Sequence, residues 1–532
     1  MFLLHRFISL IALTLVVTLG IGMVPVSSAE PTAQTVNMAV TQTLETLNPL
    51  AISSTEVSKY AMGLTFYPLV ELNQNLEFVP QLADSITTQD NRTFTIHLDE
   101  RAVWSDGTPV TARDVLFTFL VMTSPECINA SMMFYAIEGV SDDGTMPEGA
   151  TEIPGIQILD DKTLSITTKW DMALYTFENN FGRYILPVPE HVLKDVPRSE
   201  LLTHSFFIHP TVISGPYFIT DFDLNHYVHY KANDQFFLGK PNIEYLNINV
   251  TAPSQLLAGL QTGEIDLVQQ TTADIPMDDY DAIRALPGIT PVAGTPVTNQ
   301  SIFFNVEKVP DARIRRALLL GMDREMILHE LIHDNGEIVD AYLCSSSPYY
   351  SPDLGVTPYD PEAAKALIQE AVADGADPHL TWHCNSGDSS FVQAIEYFAA
   401  AFEELGLQIE IRTVDLATLM TVADSGDFQI MSVQYTYAPV DPYTDMVWLM
   451  SSDGWTRYSN DTVTAALDET QSLVDPAQIT EQFLEAQKQI VQDCPMISAY
   501  VLSALGAVSN RLEGAVPDVF GTWVNVHEWT VR

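Results

Sequence analysis

Basic side chains are what this sequence most conspicuously lacks. Its 532 residues carry 24 Lys+Arg against 69 Asp+Glu, a formal net charge of −45, although only 17% of residues are charged. Globular chains average about 25% charged residues. The acidic share is therefore ordinary and the basic share is missing. Such a chain has little with which to neutralise phosphates, which argues against nucleic acid or an anionic membrane surface as partner. Cysteine is scarce too. Cys127, Cys344, Cys384 and Cys494 form no Cys-x-x-Cys, which argues against a thioredoxin-type redox motif or a thiolate zinc knuckle. There is no Gly-x-Ser-x-Gly elbow, no phosphate-binding loop, no internal repeat and no low-complexity tract.

What is present is apolar enough to fold. At 46% hydrophobic and 10% aromatic, the chain does not fit the composition of a disordered protein, and its length suggests two to four domains. His5 and Arg6 precede an apolar run from Phe7 to Val26, followed by Ser27-Ser28-Ala29-Glu30. That order reads as an export signal over residues 1–29, cut after Ala29; the other reading of the run is an uncleaved anchor. No cysteine follows it, so the chain is not a lipoprotein, and no later apolar run approaches spanning length. The expectation is an exported, periplasmic protein. In that compartment disulfides are permitted. Three connectivities are open if all four cysteines pair, and Cys344 with Cys384 is the preferred bridge.

Local patterns predict a mixed α/β chain. Phe94–Leu98, Ile243–Val250 and Ile409–Ile411 read as strands, and Pro361–Ala373, Phe391–Leu405 and Thr480–Gln492 as amphipathic helices. Asp360 stands as N-cap with Pro361 at the first helical position. Asp106-Gly107 sits in a turn after Trp104, and Thr111 with Asp114 forms a capping-box pattern.

Ordered motifs then carry a resemblance. They are Leu47-Asn48-Pro49, Tyr67-Pro68-Leu69-Val70, Pro80-Gln81-Leu82-Ala83 and the block Val103 to Val115. Further on come Ser214-Gly215-Pro216-Tyr217, Asn233 to Pro241, Leu260 to Asp266, Asp311 to Leu318 with Met322-Asp323-Arg324, and Tyr359 to Lys365. In this order they resemble the family 5 solute-binding proteins of bacterial ABC importers, the dipeptide, oligopeptide and nickel binders. The resemblance implies an α/β, two-lobed periplasmic binding protein (type II, cluster C-like) with an extra inserted small domain. Domain I would comprise residues 30–70, 186–297 and 499–532, domain II residues 71–185, and domain III residues 298–498. The matched motifs themselves read mainly as scaffold, since turns and caps are structural far more often than chemical.

The resemblance also implies a ligand cleft between the lobes. Peptide binders of this family hold the peptide amine with an Asp three residues before an acid-Pro pair. Here the pair is Asp441-Pro442 and the earlier position is Ala438. The arginines that hold a peptide carboxylate would fall at Ala423 and Ser432. With all three charges absent, Tyr435 and Tyr437 offer neutral aromatic surface, which suits an oligosaccharide or other uncharged ligand. Ser53, Thr55, Phe134, Ile213 and Ser214 match cleft-facing stretches of the family. The expected function is capture of a peptide or similar small polar solute and its delivery to ABC permease subunits. The protein would be a monomer with no cofactor and no chemistry of its own.

One motif points elsewhere. His329-Glu330-Leu331-Ile332-His333 fits the zinc-protease pattern H-E-x-x-H. On a continuous helix, Ile327, Leu328, Leu331 and Ile332 would share one side, while His329 and His333 would lie at about 200° and 240°, on the polar side. A secreted zinc metallopeptidase is accordingly the distant alternative.

Overall fold

The computed structural model describes residues 35–51, 55–127, 132–270, 275–340, 342–387, 389–436 and 439–532. The signal segment 1–29 and the candidate site residues Ser53, Tyr437 and Ala438 lie outside the described residues.

Two long strands, Ile289–Phe304 and Met496–Ser509, run antiparallel through the middle of an 11-stranded sheet among the described residues. On one side of them lie Leu267–Val268, Thr35–Val40, Tyr245–Val250, Tyr227–Ala232 and Tyr217–Asp223. On the other lie Ile430–Thr436, His379–Asn385 and Gln408–Val414. The two wings use different halves of the long strands. Leu267 and Val268 pair with Val508 and Ala507, whereas Thr298 to Phe304 pair with Thr436 to Ile430. Between those halves the ladder slips, with register shifts over Ala293/Pro296, Pro296/Thr298 and Asn299/Ser301. Irregular pairing disrupts a ladder locally and lets the strand bend, so the two wings meet at an irregular stretch of one continuous sheet.

A separate four-stranded antiparallel sheet stacks Ala83–Thr88, Thr93–Leu98, Thr163–Thr167 and Ile156–Ile158. Its apolar face joins helix Ala112–Met122 in one large cluster containing Trp104, Phe119, Phe134, Phe177 and Phe181. The α/β, two-lobed architecture agrees with the expectation from sequence.

Local predictions land closely. Helix Pro361–Ala373 starts where its cap was read, with Asp360 accepting from Ala363 N at 2.9 Å. Asp114 Oδ2 accepts from Thr111 N at 2.8 Å, closing the capping box. Helix Pro476–Asp493 begins a turn earlier than expected, because Asp475 caps it and Pro476 opens it. The ordered motifs act as ties. Asn48 Nδ2 donates to the carbonyls of Leu201 and Leu202. Arg315 gives its guanidinium to the carbonyls of Val309, Asp493 and Cys494. Gly107 has φ +87°, and a side chain at Gly215 would collide with the Leu64 carbonyl.

The Cys344–Cys384 bridge is a correction: all four cysteines are free and buried. The two belong to different hydrophobic clusters, on opposite faces of the sheet. Cys344 Sγ lies 3.0 Å from the Pro296 carbonyl, while Cys384 stands on strand His379–Asn385 near Thr413.

Candidate functional site

The small-sheet unit meets the wing of Ile430–Thr436 where helix Leu174–Phe177, continued as a π-helical turn Glu178–Gly182, approaches the start of helix Pro442–Leu449. The sequence of the first element explains its two faces. Phe177 and Phe181 point into the aromatic cluster of the small sheet, where Phe177 stacks on Phe94 at 4.0 Å. Thr176, Asn179, Asn180 and Arg183 recur at helical spacing on another face. π-helical turns are rare and concentrate at functional positions.

Asp441 is the focus of this contact. It is 2% exposed, and its carboxylate accepts from Thr176 Oγ1 (3.1 Å), Asn180 Nδ2 (3.0 Å), Asn179 Nδ2 (3.3 Å) and Thr444 Oγ1 (2.9 Å). All four donors are neutral. Burial outweighs their effect and pushes the Asp441 carboxyl up to about 6. Asn179 also accepts from Arg183 Nη1 at 3.1 Å. Arg183, fully buried, pairs in turn with Glu71 (2.5 Å) and Glu56 (3.2 Å), and Glu71 holds Lys59 at 2.5 Å. A hydrogen-bonded chain thus runs from Lys59 through Glu71, Arg183 and Asn179 to Asp441. Beside its inner end a cavity is lined by Lys59, Glu71, Tyr67 and Trp523, and the Tyr67 Oη and Trp523 Nε1 atoms there lack a protein partner.

A second carboxyl lies one turn into the same helix. Asp445 Oδ2 accepts from Tyr342 Oη at 2.5 Å and its Oδ1 from Tyr435 Oη at 2.9 Å. Burial raises the Asp445 carboxyl, opposed by these two hydroxyls. Tyr435 is half-buried, its ring edge-on to Trp455 at 6.2 Å. Across the ladder it pairs with Asn299, which is 1% exposed and whose Nδ2 has no protein acceptor. Tyr175 completes the surround. Its ring lies 5.0 Å from that of Tyr349, and its hydroxyl meets Thr470 and Gln471. Glu178, on the flank of the π turn, is pushed by burial up to about 8.

The expected site residues divide sharply. Tyr435 and Asp441 stand in this inter-lobe region. Phe134 does not: it is 1% exposed and packed edge-on to Phe119, because the segment Met133–Ala136 turns its apolar side into the core. Ile213 is fully buried and tied by its backbone to Ser105, which fixes the Trp104 turn. Ser214 is 1% exposed and accepts from Tyr67 N at 2.9 Å. Thr55 precedes helix Glu56–Gly63 and donates to Ser58 Oγ at 2.9 Å. Ala423 and Ser432, matched to the family's arginines, are both buried, Ser432 accepting from Trp382 Nε1 at 2.6 Å. Sequence reading missed Thr176, Asn179, Asn180 and Asn299. The amide-rich run Glu178-Asn179-Asn180 after an apolar stretch was the available signal.

The zinc motif is not assembled. Helix Arg324–Glu330 ends before the second imidazole, since His333 and Asp334 take φ +52° and +61°. His329 pairs with Asp334 and His333 with Asp281, both at the surface. Among the described residues no group of three or more His, Cys, Asp or Glu could hold a metal ion.

Residues 77–457 match the family model of bacterial extracellular solute-binding proteins, family 5. The oligopeptide-binding protein AppA of Bacillus subtilis is 21% identical over 501 residues, 90% of this chain and 88% of that protein. The nickel-binding periplasmic protein of Escherichia coli is 24% identical over 331 residues, 61% of this chain and 58% of that protein's length. The structure of the Bacillus subtilis AppA in complex with a nonapeptide superposes with a TM-score of 0.73, at 20% identity, over 94% of this chain and 99% of that one. With a family model spanning most of its length and the same two-lobed fold, this chain belongs to the bacterial extracellular solute-binding proteins, family 5.

Proposed function

We propose that this chain is the substrate-binding component of an ABC importer. It takes up a peptide or similar small polar solute between its lobes and delivers it to membrane permease subunits. The observation that carries this reading is the region where the lobes meet. Tyr435 and Asn299, whose Nδ2 has no protein acceptor, pair beside strands whose register slips between the wings. That arrangement suits a ligand held by hydrogen bonds and aromatic surface, with closure about the irregular strand pair. The membership of the family supports the same role, since its named members are oligopeptide and nickel binders.

The finer parts of the reading follow from it. The three-part division with boundaries near 70/71, 185/186, 297/298 and 498/499 accords with the sheet's two wings and the separate small sheet. The protein acts outside the inner membrane as a monomer, and the described residues contain no helix long and apolar enough to cross a bilayer. It catalyses nothing itself.

Thermal unfolding of residues 30–532 against panels of short peptides, oligosaccharides and divalent metals tests the reading. A ligand present at 100 times its Kd adds about 2.7 kcal/mol, a clear shift in midpoint. Peptides are expected to give that shift. A response to sugars alone would overturn the peptide assignment, and no response in any class would overturn solute binding as framed.

A further inference from the structure

We propose that Asp441 is the catch of an inter-lobe latch, gripped on closure by the Thr176–Asn179–Asn180 face of the π-helical segment. The inference rests on the reading that the lobes close on a ligand, and it adds which contact holds them shut.

Four features carry it. The first is partition: the grip and the catch come from chain segments some 260 residues apart. The grip's own helix is rooted by Phe177 and Phe181 in the small-sheet cluster, while Asp441 opens helix Pro442–Leu449, whose Met446 and Leu449 pack in the cluster containing Phe303 and Trp455. The second is saturation. Asp441 receives three hydrogen bonds across the contact and one from Thr444, so protein groups alone satisfy it in the closed arrangement. A carboxylate is acceptor-only, and every one of these contacts uses it so. The third is anchoring. Asn179 is held from behind by Arg183, whose guanidinium is fixed by Glu71 and Glu56. The grip is therefore pre-organised and loses little side-chain freedom when it engages. The fourth is that the remaining hydrogen bonds across the contact are neutral, beside the apolar packing of Ala173 and Tyr175 in the cluster of Phe303 and Trp455. Asn91 Nδ2 donates to the Gln471 and Leu473 carbonyls, Ala173 N donates to Gln471 Oε1, and Gln471 Nε2 donates to Tyr175 Oη. Amides exchange such bonds for water at small net cost, which a seam that must reopen requires. Asp441 is the one carboxylate among these cross-seam contacts, and hydrogen bonds to a charged group are roughly twice as strong as neutral ones.

The test reads lobe separation directly and needs no ligand. Spin labels on Glu148→Cys and Gln478→Cys, both exposed and on opposite sides of the seam, report the distance distribution. The four native thiols are buried and do not compete. A latch completed by protein groups predicts a closed population in the unliganded protein. Asn180→Ala is expected to raise the open-to-closed ratio about tenfold, and the near-isosteric Thr176→Val to act in the same direction. In an Asp441→Ala background the Asn180→Ala effect should shrink to less than about twofold, because no acceptor remains there. Unchanged distributions in both variants, an equal Asn180→Ala effect in both backgrounds, or a single open distance in the parent would each overturn the latch. Altered distributions together with no response to any solute panel would leave the latch standing and remove the importer reading.

Discussion

Arg183 and Asp441 do not touch, yet Asn179 joins them, accepting from Arg183 Nη1 at 3.1 Å and donating to Asp441 Oδ2 at 3.3 Å. One amide thus connects the ion network around the buried Arg183 in one lobe to a buried carboxylate in the other. The network is costly to break and the carboxylate is costly to ionise, and each cost gives a measurable consequence.

Removing Arg183 should be among the most damaging single changes in the chain. Arg183→Met leaves Glu71, 5% exposed, and Glu56 with only Lys59 for compensation. Stripping one partner from a buried ion network typically costs about 3–5 kcal/mol. Arg113 also makes a two-pronged pair, with Glu190, but its side chain is 66% exposed. Arg113→Met should cost no more than about 1 kcal/mol. Urea denaturation of both variants checks the contrast, and similar midpoints would contradict it.

The contribution of Asp441 to folding stability should grow as pH falls. Asp441 titrates near 6 in the folded state against an ordinary 3.8. A raised carboxyl contributes stability that is complete below about 3.8 and lost as pH rises through about 6. Two units correspond to about 3 kcal/mol. The groups that face it do not offset this. Asp445 and Tyr443 lie on its own helix, Tyr175 on the crossing helix, and Tyr349 on the adjoining loop; none is cationic. Arg183 reaches it only through Asn179. Glu178, pushed to about 8, adds the same sign at higher pH. Surface carboxylates that are lowered, such as Asp311 beside Arg313, act oppositely, so the informative quantity is a difference. Wild type minus Asp441→Asn in unfolding midpoint should decline between pH 4 and 7, and a flat difference would refute the assignment.

Local grammar made much of the fold legible, and long-range pairing hid most of the site. Asp360-Pro361 and Thr111…Asp114 declare helix starts because a cap is satisfied within four residues. The apolar strand runs were equally readable. Phe134 was misjudged because its surroundings, Phe119 and Phe181, are fixed by tertiary packing that family register alone does not convey. His329 and His333 were read on one helix, but the helix stops at Glu330 and two positive φ values follow. The amide run at Asn179 and Asn180 marks a polar face but not its partner, which lies more than 250 residues away. Tyr435 lies in the inter-lobe region as expected, with its hydroxyl donating to Asp445.

That commitment predicts the behaviour of Tyr435→Phe. The substitution keeps the ring against Trp455 and removes one of two hydroxyl donors to a nearly buried carboxylate. Loss of a hydrogen bond to such a group costs about 1–3 kcal/mol. The Asp445 carboxyl should rise further, because one of the two bonds that oppose its desolvation has gone. Stability should therefore fall more at pH 8 than at pH 5, and equal losses at both would place the tyrosine's contribution in its ring.

The cysteines give a prediction that opposes the usual expectation for an exported chain. All four are free and buried, with Cys494 pushed up to about 12 by burial. A thiol of that kind reacts slowly, because the thiolate is the reactive form. Thiol titration without reductant should therefore detect few groups in the native protein and four after unfolding. Reductant should leave the thermal midpoint unchanged. Cys344→Ser and Cys384→Ser should each act only through local packing, Cys344 against Pro296 and Ser346 and Cys384 near Thr413. Fewer than four thiols after unfolding, with a reductant-sensitive midpoint, would mean that a bridge forms in solution. Since the two cysteines stand in separate clusters on opposite faces of the sheet, that bridge could not be Cys344–Cys384 without displacing the strand between them.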